Sequence, residues 1–145
     1  MRVSKWLRDG MRKEWVRALK SGEYEKVKGV LCKVEKGEGR RCAYCVMGLA
    51  CEIAYQNGVV SGKELETEWG SENVWGYDNE LAVGTIPERV RKAFGFRSAF
   101  GKFEGGVLVR GKWSLTGLND DRDLDLSFEE LGELVEENWN LIFED

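Results

Sequence analysis

The longest mostly apolar run in this charged chain is Arg41 to Gly58, RCAYCVMGLACEIAYQNG. Val46, Met47, Leu49, Ala50, Ile53 and Ala54 leave little polar face besides Glu52, which predicts a buried helix. Gly48 in its middle lowers helix propensity, and the usual reason for such a glycine is close approach of another backbone. Asn57-Gly58 supplies the stop, because both residues tolerate the left-handed conformation that closes a helix. The remaining amphipathic segments are expected to bury their apolar faces against this helix.

Before it, residues 4–20 carry Leu7, Met11, Trp15 and Leu19 at i+4 intervals with Val16 beside them, a helix that Ser21-Gly22 ends. Residues 26–42 alternate in polarity and turn at Gly37-Glu38-Gly39, the pattern of a hairpin. After the central run, Ser61 to Trp69 is expected to form one short helix. The polar loop that follows contains Trp75 and Tyr77, read as anchors onto the core in preference to a recognition surface. Residues 85–96 predict a short helix, with Thr85 as N-cap, Pro87 in the first turn, Glu88 closing a capping box and Gly95 stopping it. Val90 and Phe94 are its buried face. Residues 99–118 read as two strands joined at Gly105-Gly106. Residues 127–143 give the clearest helix. Ser127 and Glu130 form a capping box, Leu126 and Leu131 a hydrophobic staple, and Phe128, Leu131, Leu134, Val135 and Trp139 an apolar stripe.

These elements predict an α+β fold in a single domain over residues 1–145, a central buried helix packed by the terminal helices with antiparallel β-hairpins beside it. Composition agrees: 42% hydrophobic residues, 11% aromatics and six tryptophans can fill one core. No apolar run is long enough for a membrane-spanning helix and the N-terminus lacks a signal-peptide core, so a cytoplasmic protein with reduced cysteines and no membrane partner is expected.

Charge changes the picture more than composition does. The net charge of −4 argues against a nucleic-acid partner, but its distribution is uneven. Residues 1–42 carry 13 Lys/Arg against 6 Asp/Glu, and residues 119–145 carry 1 Arg against 11 Asp/Glu. The two ends either attract one another or offer separate faces, a basic one for a phosphate-bearing ligand and an acidic one for a basic protein.

The absence of histidine excludes Ser-His, Cys-His and His-metal chemistry. Cys32, Cys42, Cys45 and Cys51 hold a C-x2-C pair at a helix start, as a zinc ribbon does. Cys51, however, falls two turns into an apolar helix, where a cysteine is usually a small buried hydrophobe. From Asn119 onward, Asp121, Asp123, Asp125, Ser127 and Glu130 match positions of a calcium loop. Leu124 stands where the turn needs glycine, and a strand is expected where a calcium hand has a helix. Neither a metal nor another cofactor is therefore expected. Arg40 and Arg41, beside the start of the central helix, are a candidate anion site.

Four segments in order, LKSGEYEKVKGVL, CVMGLACEIA, TIPERVRKAFGF and LTGLNDDRDLDLSFEELGELVEENW, resemble a family of small proteins encoded by tailed bacteriophages and related viruses. Its members typically read "ALRSGKYEQ", "CCLGVLCD", a Pro-led short helix, then "LND" and "SFxEIAxxIE". Cys45, Gly48, Cys51 and Glu52 fall on the family's C-x-x-G-x-x-C-D. Asn119, Asp120, Ser127, Phe128 and Glu130 fall on its C-terminal motif. The resemblance covers about two-thirds of the chain. It carries no settled enzymatic activity, and it implies a viral setting in which small accessory proteins counter host defence.

The resulting expectation is a non-enzymatic, anti-defence protein that sequesters a small phosphorylated, nucleotide-derived signal. Arg40 and Arg41 would hold phosphate, Tyr44 and Trp113 would stack a base, and Asn119 and Asp120 would bond base or ribose. The alternative partner is a basic or nucleic-acid-binding host protein, covered by the acidic C-terminal helix. A phosphoesterase using a metal at Asp121, Asp123 and Asp125 is a third class, and a virion component a fourth. A homo-oligomer with a pocket shared between protomers is compatible with each.

Overall fold

The computed structural model describes residues 3–35, 41–66, 73–78, 85–105 and 113–144. They form a single α+β arrangement of helices around a mixed sheet, as the pattern predicts. Helix α1 is Lys5–Ser21, capped by the Ser4 hydroxyl, which accepts from the Leu7 N–H, and closed by Gly22 in the left-handed region. Strands β1 (Glu25–Lys26), β2 (Cys32–Glu35) and β3 (Arg41–Tyr44) lead into helix α2, Val46–Gln56. Strands β4 (Gly62–Glu66) and β5 (Asn73–Tyr77) follow, then helices α3 (Glu88–Phe94), α4 (Leu115–Asp120), α5 (Phe128–Glu137) and α6 (Trp139–Ile142). The sheet order is β1-β3-β2-β5-β4, parallel only between β1 and β3.

Helix α2 is the centre of the core. Every residue from Val46 to Ala54 is buried, and the helix touches α1, α3, α4 and β3. The close approach expected at Gly48 is present: a Cβ there would lie 1.7 Å from the Leu31 carbonyl oxygen. Gly58, at φ 73°, takes the left-handed turn at the helix end. Trp15 of α1 donates to the Val46 carbonyl at 2.9 Å. Its ring meets Phe94, Phe96 and Phe143 edge-on.

Arg12 ties three elements together. Only 6% exposed, it donates from Nε to the Phe94 carbonyl at 2.6 Å and from Nη2 to the Glu144 carbonyl at 2.9 Å. Its guanidinium lies 4.4 Å above the Phe143 ring. Arg8 serves the preceding carbonyls, Ala93 and Lys92, so two arginines of α1 complete the C-terminus of α3. Arg12→Met keeps the length and removes those bonds. It is expected to cost about 2–3 kcal/mol, read as a lowered urea midpoint with an unchanged m-value.

Several sequence expectations are corrected. The first arm of the hairpin at 26–42 is divided: β1 joins β3 on one edge in parallel, and β2 joins it on the other in antiparallel register, Cys32 opposite Tyr44. The turn at Gly37-Glu38-Gly39 lies outside the described residues. Ser61 to Trp69 is not a helix, since Gly62–Glu66 pairs with Asn73–Tyr77. With polar residues on both faces, that segment has no apolar stripe to bury as a helix, and backbone pairing at a sheet edge decides.

Thr85 does not cap α3. Pro87 holds that position without a side-chain bond, and Glu88 pairs with Arg91 instead of closing a box. The two strands expected over 99–118 reduce, in the described part, to an isolated bridge between Lys102 and Ser114. Leu115–Asp120 is a helix, begun where the Ser114 hydroxyl accepts from Gly117. The final helix is interrupted at Asn138, whose side chain donates to the Leu134 carbonyl. Its capping box at Ser127 and Glu130 is present.

The oppositely charged ends meet. Helices α1 and α5 pack together, the Lys20 ammonium binds the Glu136 carboxylate, and Lys28 lies 3.5 Å from Asp125.

Candidate functional site

Of the six residues singled out in the sequence, the four whose side chains are described do not share one surface. Asn119 is 0% exposed. Its Oδ1 accepts from the Val46 N–H at 3.0 Å, at the first turn of α2, and its Nδ2 donates to the Val27 carbonyl at 2.9 Å and to Asp120 Oδ1 at 3.1 Å. Asp120 Oδ1 also accepts from the Gly29 N–H at 3.0 Å. These two side chains hold the segment after β1 against the start of α2, and in this arrangement the Asn119 amide faces backbone, not solvent. Tyr44 is 6% exposed and packs edge-on against Tyr24, with ring centroids 5.9 Å apart. Trp113 is 42% exposed and stands just before the N-cap of α4. Arg41 enters as a backbone position at the start of β3, and Arg40 lies outside the described residues.

Around the scaffold that Asn119 and Asp120 build, the surface opens into a cleft of about 430 Å³. Tyr24, Lys26 and Lys28 form one wall, and Asp125, Leu126, Ser127, Phe128 and Glu129, at the start of α5, form the other. Leu19 and Gly22, at the end of α1, close it. The Lys26 ammonium donates to the Leu126 carbonyl, and Lys28 reaches Asp125, which sits at φ 44°. Burial in this wall, and then the neighbouring Lys28, hold the Lys26 ammonium below the ordinary lysine value. A bound anion would relieve that. Lys26 and Lys28 offer phosphate contacts, the Tyr24 ring offers an aromatic edge, and Asp125 and Glu129 offer acceptors for hydroxyl or amino groups.

Sequence reasoning missed Tyr24, Lys26 and Lys28. Their signal was the spacing: alternate residues of an extended segment fall on one face, so GEYEKVKG aligns a tyrosine and two lysines.

Cys32 and Cys42 are in side-chain contact across β2 and β3. Cys45 is the N-cap of α2, its Sγ accepting from the Gly48 N–H at 3.2 Å, and burial pushes its thiol up to about 11. Cys51 is buried inside α2, while Cys32 and Cys42 lie on β2 and β3. In the acidic loop, Asp121 Oδ1 accepts from the Asp123 and Leu124 N–H groups. A helix, α4, precedes this loop, where the sequence suggested a strand. Among the described residues, no three Cys, Asp or Glu side chains are gathered to hold a metal ion.

Tyr77 anchors the sheet as expected, donating to Glu52 Oε1 at 3.0 Å, and Glu52 Oε2 accepts from Gln56 at 3.1 Å. Burial pushes the Tyr77 phenol far above its ordinary value, so it stays the donor. The sequence placed Trp75 and Tyr77 in a polar loop, but both lie on strand β5, which pairs with β4, and Trp75 packs edge-on against Tyr55. Among the described residues, no helix is long and apolar enough to cross a membrane.

Comparison of the chain with family models, curated proteins and solved structures yields no match. The functional reading therefore rests on the cleft and the surface around it.

Proposed function

We propose that this protein is a non-enzymatic binder that sequesters a small phosphorylated, nucleotide-derived signalling molecule, in the anti-defence role that the phage-family resemblance implies. The observation that carries this reading is the cleft between β1 and the start of α5, with Tyr24, Lys26 and Lys28 on one wall and Asp125 and Glu129 on the other. A ligand with phosphate at one end and a hydroxyl- and amine-bearing nucleoside at the other complements both walls. Its phosphate would replace Asp125 as the partner of Lys28, and its base would stack on Tyr24, a contact worth about 1–3 kcal/mol in single-stranded nucleic-acid binders. Asn119 and Asp120 act in this reading as the support that fixes the lysine wall.

The test is a thermal-shift screen against cyclic dinucleotides, cyclic trinucleotides and ADP-ribose derivatives, with the compound recovered afterwards. A ligand at a hundred times its Kd adds about 2.7 kcal/mol to the folded state. One nucleotide class is expected to raise Tm and to be recovered intact. Tyr24→Ala and Lys28→Ala should each remove the shift, read against the ligand-free Tm of the same variant. No shift with any member of the panel, or a shift that survives both substitutions, overturns the reading.

A second reading is favoured by the outward carboxylates of α5. Glu129, Glu130, Glu133, Glu136 and Glu137 are all exposed, and only Glu136 has an ion-pair partner, Lys20, among the described pairs. Such a face fits a basic or nucleic-acid-binding host protein, with an affinity that falls steeply as salt rises.

A further inference from the structure

Trp6 is 86% exposed, on a helix whose other tryptophan is fully buried. Trp6, Gly10, Lys13 and Arg17 follow one another at three- and four-residue steps, so they share the outer stripe of α1. All four are exposed, and a Cβ at Gly10 would meet nothing within 4 Å. Further along α1 lies a groove of about 470 Å³ between this helix and the C-terminal helices. Val16 and Trp139 line it with Lys13, Arg17 and Glu136. The Trp139 ring is braced from behind by Phe143, at 4.6 Å between centroids.

An exposed indole and an apolar groove edged by cations thus sit on one helix, about 15 Å apart at 1.5 Å per residue. A glycine lies between them. That combination is self-complementary under a two-fold axis. We propose that the protein forms a homodimer in which two α1 helices pack antiparallel, each Trp6 seated in the other copy's groove. The register that brings Trp6 to the partner's Val16 also brings Lys13 to the partner's Asp9, an opposite charge. The Lys13 and Arg17 cations flank the seated indole, where its face attracts them, and the Glu136 carboxylate is an acceptor for its N–H. The contact is isologous, so it closes at two copies. It does not touch the Tyr24–Lys28 cleft, and of the outward carboxylates it uses Glu136 alone, so it stands or falls independently of the ligand reading.

The test is sedimentation velocity on the full chain over a wide concentration series. Wild type is expected to pass from monomer to dimer, and Trp6→Ala to weaken association by about tenfold to a hundredfold with an unchanged circular dichroism spectrum. Lys13→Glu, which sets like charge against the partner's Asp9, should weaken association, and Asp9→Lys added to it should restore it. A wild-type chain that stays monomeric at the highest soluble concentration overturns the proposal. So does a dimer that Trp6→Ala or Lys13→Glu leaves unchanged, or a Lys13→Glu loss that Asp9→Lys does not restore.

Discussion

Gly48→Ala is expected to unfold most of the protein at temperatures where wild type is intact. The added methyl would stand 1.7 Å from the Leu31 carbonyl oxygen, 2.5 Å from its carbon and 2.8 Å from its Cα. All three are backbone atoms, so no rotamer change relieves the clash. The Leu31 carbonyl is also held from the other side of the contact, accepting from the Cys45 N–H at 3.1 Å. Helix α2 must therefore move away from the segment entering β2 and carry the Cys45 cap with it. Overpacking a rigid core costs about 1–3 kcal/mol, and more when backbone has to shift, so about 4 kcal/mol is expected here. For a chain of this size that lowers Tm by roughly 10 °C or more. Gly10→Ala is the matched control. It too replaces a mid-helix glycine, but into open space, and should raise stability by about 0.5–1 kcal/mol. Thermal denaturation of the two variants at a concentration where each is monomeric separates the effects. Equal changes in Tm would show that the Gly48 contact does not constrain the fold.

The same glycine shows how far the sequence could be read. An apolar run interrupted by one glycine predicts a buried helix with a close neighbour, and both are present because burial leaves few alternatives. The capping box at Ser127 was legible for a related reason: it is a local bond between residues three apart, needing no tertiary information. Local signals failed where other contacts, local or tertiary, compete with them. Thr85 and Glu88 have the spacing of a capping box, but Glu88 is drawn to Arg91, and the α3 start is set by Pro87. The Gly62–Glu66 edge strand has no periodicity of its own, and its pairing with β5 could not be read from its residues alone. At the candidate site, the sequence reading assigned Tyr44 to stacking a base and Asn119 to hydrogen-bonding a base or ribose. The structure uses both inward, Asn119 because a helix N-terminus and a strand end leave backbone groups that an amide can bridge. The residues left facing the cleft, Tyr24, Lys26 and Lys28, were visible only as an alternation in a segment too short to stand out.

Asn119→Leu, nearly matched in size, is expected to lose about 3–5 kcal/mol of stability, through bonds that no neighbouring side chain can replace. The Asn119 amide is fully buried and bonded to two backbone groups far apart in sequence, the Val46 N–H and the Val27 carbonyl. Removing it strands a donor at the first turn of the central helix and an acceptor beside β1, each costing about 1–3 kcal/mol where water cannot enter. Asn119→Asp makes the argument sharper. An aspartate keeps an acceptor for the Val46 N–H, where a helix N-terminus favours negative charge, but presents a second acceptor to the Val27 carbonyl and sits beside the Asp120 carboxylate. It should therefore be destabilised at neutral pH and recover part of the loss on acidification, as protonation restores a donor and removes the repulsion. The sign follows from the buried, acceptor-facing carboxyl, whose pKa the fold would raise above its unfolded value, so the penalty is present above that value and fades as pH falls through it. Urea midpoints of the two variants across the acidic range provide the measurement. Leucine should show a loss that follows wild type in its pH dependence, and aspartate one that narrows toward low pH. A small effect from both would mean that the Asn119 bonds are replaced by water, and that the wall of the cleft is not held from beneath by this residue.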